Sequence, residues 1–257
     1  MRIMVDEKSL KSDLGEYCRS LGIRAVRSIS QESLRDAEAL YEGARGLLPT
    51  VRSIISFARP FPRGAMHLVK HESRGLPFYS RMAGLGARDL DGKALCLSLF
   101  LEDRGFRAVP VFACTPLEVP KRLDMRGYVS QIDLAARSGL GWIGKNGLLI
   151  SPEHGTRVGI GTVLTDAEME HDGPLAQGCP EDCFLCVEGC PAEAIDGSGR
   201  VDRLRCASKQ AIAPLALMMA KDFPVKENLS MLVNVGSADE HVWYTCNACV
   251  TRCPIGT

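Results

Sequence analysis

Eight of the chain's eleven cysteines fall between Cys179 and Cys253, and their spacing suits metal chemistry. Cys179, Cys183, Cys186 and Cys190 run up to Pro191; Cys206 stands apart; Cys246, Cys249 and Cys253 run up to Pro254. Gaps of two and three residues let consecutive thiolates converge on one iron–sulfur cube, while the last cysteine of such a run, followed by proline, is turned toward the other cube. Eight thiolates are the complement of two [4Fe–4S] clusters. The pattern therefore points to a protein that handles electrons.

Two other uses of these thiols are weaker. Tetrahedral zinc takes four thiolates per ion, but zinc ribbons set their C-x2-C pairs far apart and have no need of the terminal Cys-Pro. A disulfide framework belongs to small exported chains, and eleven cysteines cannot all pair. One departure marks the first gap: Cys179 and Cys183 are separated by three residues where two are usual, which makes Cys179 the least secure ligand.

The elements that must position these cysteines come from a chain of 257 residues, 46% hydrophobic and 24% charged, which is enough for a buried core and ordinary for a globular protein. Formal net charge is zero, yet residues 1–130 carry +6 and residues 131–257 carry −6. The basic half could receive an anionic cofactor or substrate, and the acidic half could dock a basic electron donor. No apolar run is long enough to span a bilayer, and residues 1–14 have no apolar leader core. With thiolates kept reduced, including the spare Cys18, Cys96 and Cys114, the expected location is cytoplasmic.

Apolar spacing predicts a helix over residues 7–21 and a second from Ser30 to Tyr41, with a third from about Asp89 to Asp103. Strands are expected at 23–29, 53–58, 108–113, 148–151 and 157–165. Between Pro60 and Asp89, proline, glycine and arginine without clear period predict a long ordered loop. Ser130 opens a further helix, with Asp133 as a capping partner. A last helix is expected over about 203–220. The expected division is a cofactor-binding domain over 1–170 and a cluster module over 171–257.

Gly139, Gly141 and Gly144 form a literal G-x-G-x-x-G. A dinucleotide fold needs a strand before that motif and a helix after it, the reverse of the order here, so NAD binding is rejected. Two uses stay open for these glycines: close approach of backbone to a flat ligand, or tight turns. Asp124 and Tyr128, just ahead of the Ser130 helix, have no evident structural task and are candidates for proton donation. Trp243 and Tyr244 precede Cys246 and are expected to shield a cluster from water.

Residues 135–152, AARSGLGWIGKNGLLISP, followed by Val163 to Asp166 and the eight cysteines, resemble the epoxyqueuosine reductases; residues 146–158 are equally similar to corrinoid-dependent reductive dehalogenases. The resemblance covers roughly residues 125–257. It implies an α+β architecture, with a nitroreductase-like corrinoid-binding domain joined to a C-terminal two-cluster ferredoxin-like module. It implies that Cys179, Cys183, Cys186 and Cys253 hold one cube and Cys190, Cys206, Cys246 and Cys249 the other. It further implies a cobalamin bordered by Gly139, Gly141, Trp142, Gly144, Lys145 and Asn146.

The chain also departs from both groups. The acid of the reductases aligns with Met125, next to Asp124, and their extension past the last Cys-Pro is missing. With no basic surplus either, tRNA is disfavoured as a partner. The tyrosine and basic residue of the dehalogenases have counterparts in Tyr128 and Lys145.

The resulting expectation is a cytoplasmic iron–sulfur oxidoreductase that feeds a bound corrinoid for reductive chemistry on a small substrate. Tyr128 or Asp124 would supply the proton, and Lys145 would steady negative charge. Its electron donor would be a ferredoxin or flavodoxin. The rival expectation is a non-catalytic carrier or corrinoid-protein reductase that docks a protein partner. A flavin in place of the corrinoid is the third.

Overall fold

The computed structural model describes residues 7–68, 72–112, 117–118, 126–207 and 246–256. The chain opens with helix α1 (Glu7–Ser20), whose Leu10, Leu14 and Cys18 lie on one face and are buried. Strand β1 (Ala25–Ser30), a 3-10 turn (Gln31–Leu34), helix α2 (Glu38–Leu47) and strand β2 (Ser53–Pro60) follow. Next come α3 (Arg63–Leu68), the long α4 (Glu72–Glu102), β3 (Ala108–Val111), and the short strands β4 (Leu117–Glu118) and β5 (Arg126–Gly127). Helix α5 (Gln131–Arg137) leads to β6 (Trp142–Ile143), β7 (Leu149–Ile150) and β8 (Val158–Thr165). The cysteine region contributes α6 (Leu185–Glu188), α7 (Arg203–Ala207) and α8 (Ala248–Thr251).

Strands order as β1-β2-β8-β3, with every neighbouring pair antiparallel. Alternate residues of a strand face opposite sides, and this sheet is buried on both. Ile55, Phe57 and Val163 pack on one side with Leu10, Leu14, Leu90, Leu97 and Leu101 of α1 and α4. Ile54 and Leu164 pack on the other with Ala44 of α2 and Leu134 of α5. The result is an α+β sandwich of three layers. Cys18 sits fully inside the first layer, where burial pushes its thiol up to about 12. Ser130 caps α5 as expected, its Oγ accepting from the Asp133 N–H at 3.3 Å.

Two expectations change. The predicted Ser30–Tyr41 helix is a 3-10 turn followed by α2, which begins at Glu38. An unbroken helix would set Leu34 and Ala44 about 80° apart around its axis; the break lets both reach the same core. The predicted loop from Pro60 to Asp89 is instead α3 and the first half of α4. There Tyr79 and Ala83 are buried like Leu90 and Ala94 further on, and Tyr79 packs with Met66 and Val250. That burial outweighs the cost of about 1 kcal/mol that each glycine imposes on a helix.

Among the described residues, no helix is long and apolar enough to cross a membrane. The predicted helix near 203–220 is described only as α7, and its remainder, with Asp124, Cys114, Trp243 and Tyr244, lies outside the described residues.

Leu97 is fully buried where α4 meets the sheet. Truncation of Leu97 to alanine is expected to cost about 2–5 kcal/mol, read as a lower midpoint of urea unfolding. An unchanged midpoint would remove Leu97 from the core.

Candidate metal centre and cofactor cavity

Two turns that precede the cysteine run organise the cysteine loops. The first, Gly144 to Leu148, joins β6 to β7 and is closed by the Gly144 N–H to Leu148 carbonyl bond at 2.9 Å and the Gly147 N–H to Gly144 carbonyl bond at 2.8 Å. Lys145 projects from it and donates to the carbonyls of Pro180 at 3.0 Å, Glu181 at 2.7 Å and Cys183 at 3.1 Å. Its Nζ also lies 3.8 Å from the centre of the Phe184 ring. The next residue, Asn146, is buried; its Nδ2 donates to the Cys249 carbonyl at 3.4 Å and its Oδ1 accepts from the Leu148 N–H at 3.2 Å.

The second turn, Ser151 to Arg157, grips the C-terminal run. Thr156 Oγ1 donates to the Val250 carbonyl at 3.1 Å. Arg157 donates to the Gly256 carbonyl through Nε at 3.1 Å and Nη2 at 3.0 Å, and through Nη1 to the Phe61 carbonyl. Backbones touch here: a Cβ on Gly155 would stand 1.6 Å from the Ile255 carbonyl oxygen, so only glycine permits the contact.

These anchors divide the eight cysteines between two spaces. Cys179, Cys183, Cys186 and Cys253 line a small apolar-walled cavity with Lys145, Asn146 and Ile150. Cys190, Cys206, Cys246 and Cys249 border a larger one of about 880 Å³, which Asn146 also lines. All eight thiols are free of disulfides. Three of these thiols resist ionisation. Burial pushes the Cys249 thiol up to about 12, helped by the nearby Cys246, Cys206 and Cys190. Burial likewise raises Cys186, aided by Cys179, Cys183 and Cys253, and raises Cys253, aided by Cys179 and Cys183. One N–H reaches a sulfur directly, from Ala194 to Cys190 Sγ at 3.3 Å. Among the described residues, no three of His, Cys, Asp or Glu close around a point as a single bound ion requires.

The large cavity is walled by Tyr79, Ala83, Ala87 and Leu90 of α4, Ile132 of α5 and Val158 to Ile160 of β8, with Arg200 and Arg203 from the cysteine region. Its size is near the upper end for small-molecule sites, about 300–1,000 Å³.

The remaining candidates fall elsewhere. Gly139, Gly141 and Gly144 face protein: a Cβ on them would meet the Gly173 carbonyl oxygen at 2.3 Å, the Ile150 carbonyl oxygen at 2.2 Å and Ile150 Cδ1 at 2.4 Å. Gly139 also has φ +86. Tight turns and close packing require glycine at these positions. Trp142 is half-buried, and its Nε1 is buried with no hydrogen-bond partner among the described residues. Lys145 faces the first cysteine set and has three N–H donors for three carbonyls, so none is left for charge arising in the large cavity. Tyr128 is 45% exposed and is not among the residues lining that cavity. Sequence reading missed Thr156 and Arg157, which look like ordinary turn residues until their partners near residues 250–256 are seen.

No family model matches the chain. An epoxyqueuosine reductase of Staphylococcus aureus is 30% identical over 230 residues, covering 80% of this chain and 57% of that protein. The chain thus spans little more than half the length of that curated relative. Among solved structures, an epoxyqueuosine reductase with a tRNA-Tyr epoxyqueuosine-modified stem loop superposes with TM-score 0.57 at 21% identity, covering 98% of this chain and 66% of that one. A reductive dehalogenase whose structure addresses B12-dependent dehalogenation superposes with TM-score 0.61 at 15% identity, covering 91% and 36%.

The expectation that tRNA is disfavoured as a partner is overturned by this company, since a fold neighbour is seen with a tRNA stem loop. Zero net charge was a poor guide, because a local basic surface can coexist with a balanced total. Sequence similarity over most of the chain and a shared fold lead to one statement of kinship: the chain is a relative of the superfamily of epoxyqueuosine reductases and reductive dehalogenases.

Proposed function

We propose that this chain is an iron–sulfur and corrinoid-dependent reductase whose substrate is epoxyqueuosine carried in tRNA. The observation that carries this reading is the partition of eight free thiols between two adjacent cavities, one of them about 880 Å³ and shared with the first domain. Cys179, Cys183, Cys186 and Cys253 would hold one [4Fe–4S] cube, and Cys190, Cys206, Cys246 and Cys249 the other. A cube is wider than an ion, so it takes sulfurs that stand apart around a common space. The donor chemistry fits, because crowded thiols that resist ionisation are relieved by a cationic iron core.

The large cavity would take the corrinoid, which when bound supplies a strongly reducing cobalt centre. Its apolar walls, from Tyr79 to Leu90 and from Val158 to Ile160, exclude water from a flat macrocycle. Arg200 and Arg203 at its cluster side suit anionic groups of cofactor or tRNA. Asn146 lines both cavities and holds the Cys249 carbonyl, keeping the two cysteine sets in fixed relation. Electrons would enter at the first set from a ferredoxin or flavodoxin and leave through the second. A non-catalytic carrier would need no such cavity beside Asn146, so the open space favours the reductase. The similarity to epoxyqueuosine reductases over 80% of the chain favours the tRNA substrate over a small molecule.

Protein reconstituted anaerobically with iron, sulfide and cobalamin is expected to carry about eight irons and one corrinoid, with a shifted visible spectrum. Filling the cavity by Ala87→Trp should abolish corrinoid uptake and leave the iron content intact. Equal corrinoid binding by both proteins would place the cofactor elsewhere.

With a chemical reductant, the loaded protein is expected to consume epoxyqueuosine in tRNA, followed by nucleoside mass spectrometry. Unchanged tRNA at full cofactor loading would exclude this substrate.

A further inference from the structure

The gap between Cys179 and Cys183 is one residue longer than the two-residue gap that starts such runs, which leaves Cys179 the hardest thiol to bring onto a cube. The loop makes a turn closed by the Cys183 N–H to Pro180 carbonyl bond at 3.2 Å. Three of its carbonyls, those of Pro180, Glu181 and Cys183, converge on Lys145 Nζ. An ammonium has three N–H donors, and all three are matched. Lys145 itself rises from the closed turn between β6 and β7, so the clamp is fixed to the first domain and not to the cysteine run. Phe184 lies beneath the ammonium, and the same Lys145 lines the cavity of Cys179, Cys183, Cys186 and Cys253.

We infer that Lys145 is the positioning residue that brings Cys179 into reach of the first cluster and sets that cluster's charge environment. This rests on the cluster reading proposed above. The clamp draws the longer loop around one cation. Without it, three carbonyls lose their common partner, and the Cys179 end of the loop is free to swing away. The ammonium also places one positive charge beside a site whose four thiolates make it negative, and such outer-shell charges and hydrogen bonds tune the potential of a bound metal group.

The test compares wild type, Lys145→Met, Cys179→Ser and the double variant after anaerobic reconstitution. Iron analysis, electron paramagnetic resonance and a redox titration are the readouts. Wild type should hold about eight irons. Lys145→Met should lose about one of them, show a [3Fe–4S] signal on mild oxidation, and lower the potential of whichever first-set cluster remains intact. The signal of the second set should be unchanged, which also reports that the variant is folded. Cys179→Ser should give the same loss, and Lys145→Met should add nothing to it. Lys145→Met with wild-type iron, signals and potential would overturn the inference while leaving the cluster reading in place. Further iron loss in the double variant would also overturn it. Wild type with no iron would instead remove the cluster reading, and this inference with it.

Discussion

A handful of side-chain donors from two turns hold the cysteine loops in place, and the geometry of the candidate redox centre depends on them. Segments 179–190 and 246–256 contain no sheet, and their helices α6 and α8 are four residues each, too short to hold a shape alone. Lys145, Asn146, Thr156 and Arg157 reach across and bind carbonyls at Pro180, Glu181, Cys183, Cys249, Val250 and Gly256. Hydrogen bonds to a charged group are worth about 1.5–3 kcal/mol each, against about 1 for neutral pairs. The two cations, at Lys145 and Arg157, therefore dominate the seam. Arg157 is nearly buried, and burial lowers its pKa, with nearby Arg63 adding to the effect. Its position is kept because the Phe61 and Gly256 carbonyls together engage both ends of the guanidinium.

The sheet places those turns correctly. β8 follows directly after Arg157 and lies inside the sheet, pairing with both β2 and β3. Layers of buried leucine and isoleucine cover both its faces, so the base of the second turn cannot shift without opening the core. The first turn is tied to the same base through the β6–β7 hairpin, whose Gly141 and Gly144 pack against Ile150. Rigidity thus passes from core to turn, from turn to carbonyl, and from carbonyl to sulfur. No side chain in that series needs to be reactive.

Sequence spacing made some of this legible and hid the rest for physical reasons. Cysteine runs ending in Cys-Pro declare themselves because thiolate convergence is a local demand on the chain. Helix α1 and the Ser130 cap are local too, set by i to i+4 burial and by one hydroxyl. The first half of α4 was hidden because its glycines read as breakers, while the burial that overrides them comes from Met66 in the preceding helix and from Val250, far away in the chain. Lys145 read as a charge awaiting chemistry. Its three acceptors lie 35 to 38 residues further on, so only the folded chain could reveal that its donors are spent. Tyr128 could not be placed for the opposite reason: nothing local marks whether a loop tyrosine turns toward a cavity or into solvent.

The two cysteine sets differ in what surrounds them, and that difference gives the candidate electron path a direction. The first set has a cation beside it, in Lys145, and only a small cavity. The second borders the large cavity, which Arg200 and Arg203 also line, and burial with its neighbours drives the Cys249 thiol up to about 12. A redox group is easier to reduce where a positive charge is near and harder where apolar burial prevails. In the proposed arrangement the path would lead from the first set, beside its small cavity, to the second, placed against the cofactor cavity. The extra thiolate that opposes Cys249, from Cys186, belongs to the first set, so charge on either set is felt by the other.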